Sequence, residues 1–135
     1  MQDSRDHSIL LCLDLERDSA RLARFAAEFA AGGRRSVYAL YVETRPADAR
    51  RLEKVKASLL KLVASSLQDA EIAGVDVVAG VAEEAILAYA AARPVDLILL
   101  GHRQSAIAGI HVGSTTQALV SLSPIPVLVM PLREN

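Results

Sequence analysis

Aromatic residues and cysteine are scarce in this sequence. Aromatics make up 4% of the 135 residues and tryptophan is absent, whereas 52% of the residues are hydrophobic. The core must therefore be mainly aliphatic, and a chain of this length suits one domain, residues 1–135. The single cysteine, Cys12, excludes an internal disulfide and a cysteine-based zinc site. Its place in an apolar run favours a small core side chain over a reactive thiol.

The sequence also lacks an excess of either charge. Fifteen basic and sixteen acidic residues give a net charge of −1, so no broad attraction to nucleic acid or anionic membranes is expected. No apolar run reaches the roughly 18 residues that a membrane span needs. The segment from Met1 to Ser8 is polar and charged, unlike a signal peptide. We expect a cytoplasmic protein.

Short apolar runs alternate with segments of helical periodicity. The predicted helices begin at Asp18 or Ser19 and at Pro46, the second ending at Gly74, then cover Glu83 to Ala92 and Gly113 or Ser114 to about Leu122. Strands that alternate with helices predict an α/β fold with a parallel sheet covered on both faces. The predicted strands are Ile9 to Leu13, Val37 to Val42, Val75 to Val78, Val95 to Leu100 and Ile125 to Met130.

The most informative stretch joins the fourth predicted strand to the last helix. The strand runs into Gly101, and Gly113-Ser114-Thr115 opens the helix. Glycine lets a ligand approach the backbone, and the free N–H groups of a helix start favour an anion, so the pattern suits a phosphate. It is neither a Walker motif nor the G-x-G-x-x-G fingerprint. The alternative is a turn glycine followed by an ordinary serine cap.

Asp14 directly follows the first strand and should share a rim of the sheet with Gly101, because ligands of such sheets bind beyond the carboxyl ends of the strands. Its carboxylate is suited to accept hydrogen bonds from an adenine amino group or a ribose. Alternatively it caps the following turn. His102 and Arg103 are predicted to lie on the loop after Gly101, within reach of a phosphate.

Other chemistries find little support in the residues. The three histidines, His7, His102 and His111, lack metal-ligand spacing, so no metal site is predicted. No Ser/His/Asp or Cys/His set emerges, so no catalytic residue is predicted. A phospho-acceptor receiver domain is excluded because the third strand ends at Gly80 and Pro131 follows the fifth, where that class needs an aspartate and a lysine.

The whole pattern resembles the universal stress protein family from Ile9 to Pro131. The first strand ending at Asp14, the segment DLILLGHR, and the segment GSTTQALVSLSPIPVLVMP carry the resemblance. The nucleotide-binding branch of that family has the motif G-x2-G-x9-G-S/T. Gly101, Gly113 and Ser114 match it. Gln104 replaces the second glycine, and eight residues rather than nine separate it from Gly113.

The resemblance implies a five-stranded parallel sheet of order 3-2-1-4-5, of the adenine nucleotide alpha hydrolase-like kind. It implies a homodimer formed through the last strand, Ile125 to Met130. The implied ligand is ATP or another adenine nucleotide, with or without a divalent cation, and the implied role is a stress-response sensor or regulator. The cofactor-binding residues expected on this basis are Cys12, Leu13, Asp14, Val42, Leu100, Gly101, Arg103, Gly113, Ser114 and Thr115.

Within this set, adenine is expected near Asp14 and Val42, and the phosphates near Gly101, Arg103 and the Gly113–Thr115 turn. Any ATP hydrolysis is expected to be slow at most, because no general base or nucleophile is identifiable. Two other functions stay open. One is a nucleotide-free dimeric interaction module of the same fold, and the other is an ATP-consuming enzyme.

Overall fold

The computed structural model describes residues 7–104 and 113–133. Its strands form one parallel sheet in the order β3-β2-β1-β4-β5, which confirms the predicted fold class and strand order. The elements in chain order are β1 (Ser8–Cys12), α1 (Ser19–Gly33), β2 (Ser36–Glu43), α2 (Ala49–Ser66), β3 (Ile72–Ala79), α3 (Ala82–Ala91), β4 (Val95–Gln104), α4 (Ser114–Leu122) and β5 (Val127–Arg133).

The central strand β1 is apolar on both sides because helices cover both faces of the sheet. Ile9, Leu11 and Leu13 pack in one core cluster with side chains of α1 and α2. Leu10 and the partly buried Cys12 pack in a second cluster with side chains of α3 and α4. The continuous apolar run in the sequence thus reflects burial from two directions.

The last two strands extend further than predicted. The prediction that His102 and Arg103 lie on a loop is wrong, since β4 continues through Gly101 to Gln104 and pairs with β5. Likewise β5 covers Val127–Arg133 rather than Ile125 to Met130. Glycine and proline usually mark the end of a strand, but Pro131 is tolerated here because β5 is an edge strand.

Helix α2 also differs from its predicted bounds. It begins at Ala49 rather than Pro46, because the Asp48 carboxylate accepts a hydrogen bond of 2.8 Å from the Arg51 backbone N–H. It ends at Ser66, well before Gly74, which lies inside β3. An added Cβ on Gly74 would lie 2.9 Å from Cδ1 of Tyr38, so this glycine makes room for a neighbouring ring.

For the other three helices, every predicted start or end lies within one residue of the observed one. Across the described part of the chain, we find no helix that combines the length and the apolar character needed to cross a membrane.

Candidate functional site

A cleft of ≈ 450 Å³ opens at the carboxyl ends of the strands, where the strand order reverses between β1 and β4. Most of the residues predicted to bind a ligand line it. The predicted residues that line the cleft are Cys12, Leu13, Asp14, Val42, Leu100, Gly101 and Thr115. The structure therefore brings together side chains from β1, β2, β4 and α4 that are far apart in sequence.

Asp14 and Arg103 form a two-pronged ion pair across the rim of this cleft. Arg103 Nε donates to Asp14 Oδ2 at 2.8 Å, and Arg103 Nη2 donates to Asp14 Oδ1 at 2.7 Å. The Nη1 group of the same guanidinium donates to the backbone carbonyl of Arg17. Arg103 thus ties the end of β4 to the segment between β1 and α1.

The Asp14 carboxylate also organises its own turn. Its Oδ1 accepts hydrogen bonds from the Glu16 backbone N–H at 2.9 Å and from the Ser19 hydroxyl at 3.1 Å. Partial burial alone would raise the pKa of Asp14. The hydrogen bonds from Arg103, Glu16 and Ser19 and the Arg103 charge together outweigh that effect and lower the pKa. Asp14 is therefore ionised at neutral pH and already engaged as an acceptor.

Gly101 is held under a core side chain. A Cβ added to Gly101 would lie 2.3 Å from Cδ1 of Leu132 and 3.5 Å from Cδ2 of Leu22. Leu132 is buried in the core that contains α1 and α2, although the predicted last strand ended at Met130. Packing against Leu132 accounts for a glycine at position 101 without any ligand.

The start of α4 forms the other side of the cleft. Ser114 opens the helix after Gly113, which is extended, with φ −62° and ψ 156°. An added Cβ on Gly113 would meet no atom within 4 Å, so packing does not require a glycine there. Gly113 and Ser114 are exposed beside the cleft-lining Thr115. The first-turn N–H groups of an α-helix lack partners within the helix, which suits them to an anion.

The end of β2 adds polar groups that the sequence prediction had not assigned to the site. Glu43 is 5% exposed, lines the cleft, and accepts a hydrogen bond of 3.0 Å from Arg51 Nε. That hydrogen bond raises the pKa of Arg51, which keeps its guanidinium charged. An acidic residue directly after an apolar strand was the available signal, the same one that identified Asp14. Thr44 and Arg45 line the cleft beside this pair.

Cys12 lies on the apolar floor of the cleft. Burial raises the pKa of its thiol to about 12, so it is a neutral thiol at physiological pH and a poor nucleophile. No group of three or more His, Cys, Asp or Glu side chains suited to a metal ion occurs within residues 7–104 and 113–133. His111 lies outside the described residues.

Residues 7–131 match the sequence model of the Universal stress protein family. No curated protein matches the sequence significantly. Among solved structures, a universal stress protein from Archaeoglobus fulgidus superimposes with a TM-score of 0.77 at 20% identity, covering 91% of this chain and 97% of the other. The universal stress protein from Archaeoglobus fulgidus in complex with dAMP gives 0.73 at 20% identity, covering 91% and 96%. A universal stress protein in complex with cAMP gives 0.73 at 19% identity, covering 93% and 96%.

Proposed function

The chain belongs to the universal stress protein family, and we propose that it binds an adenine nucleotide in the cleft between β1 and β4 and acts as a stress-response sensor or regulator. One observation carries the proposal. The cleft lies at the reversal of strand order and combines an apolar floor with a rim of charged groups. Ligand sites of α/β sheets typically have this position and this composition.

The floor of the cleft suits a flat, apolar base. Cys12, Val42 and Leu100 lie side by side at the ends of adjacent strands and belong to or pack on the same core cluster. The complexes with dAMP and cAMP show that relatives of the same fold hold adenine mononucleotides. We place the base on this floor, with its hydrogen-bonding groups near Asp14 and its phosphates near Gly113, Ser114 and Thr115. ATP or AMP, with or without a divalent cation, is the proposed ligand.

A second candidate function, a nucleotide-free dimeric interaction module, is favoured by a different observation. Leu132 covers Gly101, and Arg103 occupies Asp14, so two predicted ligand contacts are taken by the protein itself. The same candidate relies on β5, which is an edge strand with apolar side chains on both faces. We propose a homodimer through β5 for either function.

Nucleotide analysis of the purified protein separates the two functions. The protein is denatured, and the released small molecules are identified by mass spectrometry, followed by calorimetric titration of ligand-free protein with ATP and AMP. Val42→Phe should fill the base position and abolish binding. Val120→Phe is the matched control, since Val120 is 60% exposed on α4 and does not line the cleft. Absence of any nucleotide, with no binding at millimolar concentrations, would favour the interaction module.

A further inference from the structure

The Asp14–Arg103 pair lies at the mouth of the cleft, and there the Arg103 guanidinium competes with a ligand for the Asp14 carboxylate. A guanidinium has five N–H donors, and the structure assigns one each to Asp14 Oδ1, Asp14 Oδ2 and the Arg17 carbonyl. Asp14 lines the cleft with its side chain 52% exposed, and Arg103, with its side chain 20% exposed, is bonded to it, so a ligand at Asp14 lies beside the guanidinium.

Arg103 is also surrounded by acidic side chains at this rim. Hydrogen bonding to Asp14, together with the charges of Asp14, Glu16 and Asp18, outweighs burial and raises the pKa of Arg103. Three carboxylates thus act on this one guanidinium. Without Arg103 the Asp14 carboxylate would repel an anionic ligand, whereas a neutral ligand would find that carboxylate more available.

We infer that Arg103 makes the cleft select phosphorylated over unphosphorylated adenine ligands, an inference that rests on the proposed nucleotide-binding function. A nucleoside must compete with Arg103 for the Asp14 carboxylate. A ligand phosphate instead attracts the guanidinium, because the planar fork of N–H donors on Arg matches the oxygens of a phosphate. The carboxylate released from Arg103 then accepts a hydrogen bond from the sugar or the base of the same ligand. Phosphate binding and nucleoside binding are thereby coupled through one ion pair.

This coupling predicts opposite effects on two ligands. Arg103→Gln should tighten adenosine binding, because Asp14 loses its competitor, and weaken AMP binding, because the phosphate loses its cation. From the usual energies of hydrogen bonds to charged groups and of partly exposed ion pairs, we expect each affinity to change by about three- to tenfold, upward for adenosine and downward for AMP. A purely structural role of Arg103 would move both affinities the same way. Asp14→Asn should raise the ratio of AMP affinity to adenosine affinity by at least about threefold, since Arg103 is then free for the phosphate.

The experiment is calorimetric titration of adenosine and of AMP into the full chain, its Arg103→Gln and Asp14→Asn variants, and a charge-matched control. Arg24→Gln is the control, because Arg24 is exposed on α1 and its loss removes the same charge away from the cleft. Arg103→Lys keeps the charge but gives up the fork. It should retain most of the AMP affinity. If Arg103→Gln does not fold, Arg103→Lys replaces it in the comparison of the two ligands.

Each outcome separates the inference from the function on which it rests. Opposite shifts for adenosine and AMP in Arg103→Gln, with neither shift in Arg24→Gln, support the selection. Equal shifts for both ligands overturn it and leave nucleotide binding intact. Binding of AMP to Asp14→Asn but not to the wild type would mean that the pair closes the wild-type cleft, which contradicts nucleotide binding by the wild type and overturns the selection with it. No binding of either ligand to any variant overturns both.

Discussion

Leu132 occupies the space that a Cβ on Gly101 would need, with its Cδ1 atom 2.3 Å from the ideal Cβ position. Leu132 is 2% exposed and is held by the core around α1, so it has little freedom to move aside. This contact joins a residue of the predicted phosphate motif to the last strand. It makes Gly101 a packing residue whether or not a ligand is bound.

Gly101→Ala is therefore expected to lower the free energy of unfolding by about 1–3 kcal/mol, the usual cost of overpacking. In a Leu132→Ala background the same substitution should cost much less, because the obstructing methyl group is gone. Urea denaturation of the wild type, both single variants and the double variant measures the coupling. Equal costs of Gly101→Ala in the two backgrounds would show that Leu132 is not the cause.

Asp14→Asn is expected to reduce stability at neutral pH by less than about 1 kcal/mol, since the pair is partly exposed. The lowered pKa of Asp14 sets the pH dependence. The contribution of Asp14 to the free energy of unfolding is fully present above its unfolded pKa of about 3.9, and it is lost as the pH falls through the lower pKa of the folded state. Urea denaturation should give the same difference in the free energy of unfolding between the wild type and Asp14→Asn at pH 7 and pH 5. This difference should become smaller below about pH 4. Asp69→Asn, at an exposed residue, is the control, and a difference already shrinking by pH 5 would contradict this account.

Cys12 is expected to react slowly with thiol reagents in the native protein. Burial raises the pKa of the thiol to about 12, and the thiolate is the reacting species. The rate of modification at pH 8, followed by absorbance, should rise by orders of magnitude in denaturant. Bound nucleotide should slow it further, since Cys12 lines the cleft. Equal rates in native and denatured protein would refute the burial argument.

Gln104→Gly is expected to tighten ATP binding and to leave adenosine binding nearly unchanged. The reason is that the family motif has a glycine at this position, and glycine lets the backbone approach a phosphate more closely than other residues do. Since Gln104 pairs with Arg133 in the sheet, Gln104→Ala is the matched control that shortens the side chain with less loss of strand propensity. Titration of the variants with ATP and with adenosine tests this expectation. If both affinities change alike, Gln104 does not obstruct the phosphate.

A homodimer through β5 is expected in light scattering at micromolar concentration. Val129→Glu should dissociate it, because the substitution puts a charge into an apolar edge strand. Val77→Glu is the control, since Val77 is also half-buried but lies in β3, at the opposite edge of the sheet. Circular dichroism checks that both variants fold. A monomeric mass for the wild type, with and without ATP, would exclude the dimer.

The fold was predictable because burial from two sides leaves a clear mark on a sequence. Continuous apolar runs such as Ile9 to Leu13 identify parallel strands, and the helical stripes between them identify the covering layers. Strand ends were less predictable. Gly101 and Pro131 look like terminators, yet β4 and β5 pass through them because each strand supplies hydrogen bonds to the other.

The site was predictable where a residue follows a strand directly, as with Asp14. Its pairing with Arg103 was not, because the two residues are 89 positions apart and the pairing requires β4 to extend beyond Gly101. The role of Gly101 was missed for a similar reason. A glycine that serves a ligand and a glycine that serves Leu132 look the same in sequence, and only the packed position of Leu132 separates the two.

The scarcity of aromatic residues gives the molecule a simple optical signature. With no tryptophan, its near-ultraviolet emission comes from three tyrosines, Tyr38, Tyr41 and Tyr89. Tyr38 and Tyr89 meet edge to face, with the Arg93 guanidinium 3.4 Å above the Tyr89 ring, away from the cleft. Tyr41 lines the cleft. A change in fluorescence on ligand binding therefore reports on one ring, and the protein carries its own probe of occupancy without any label.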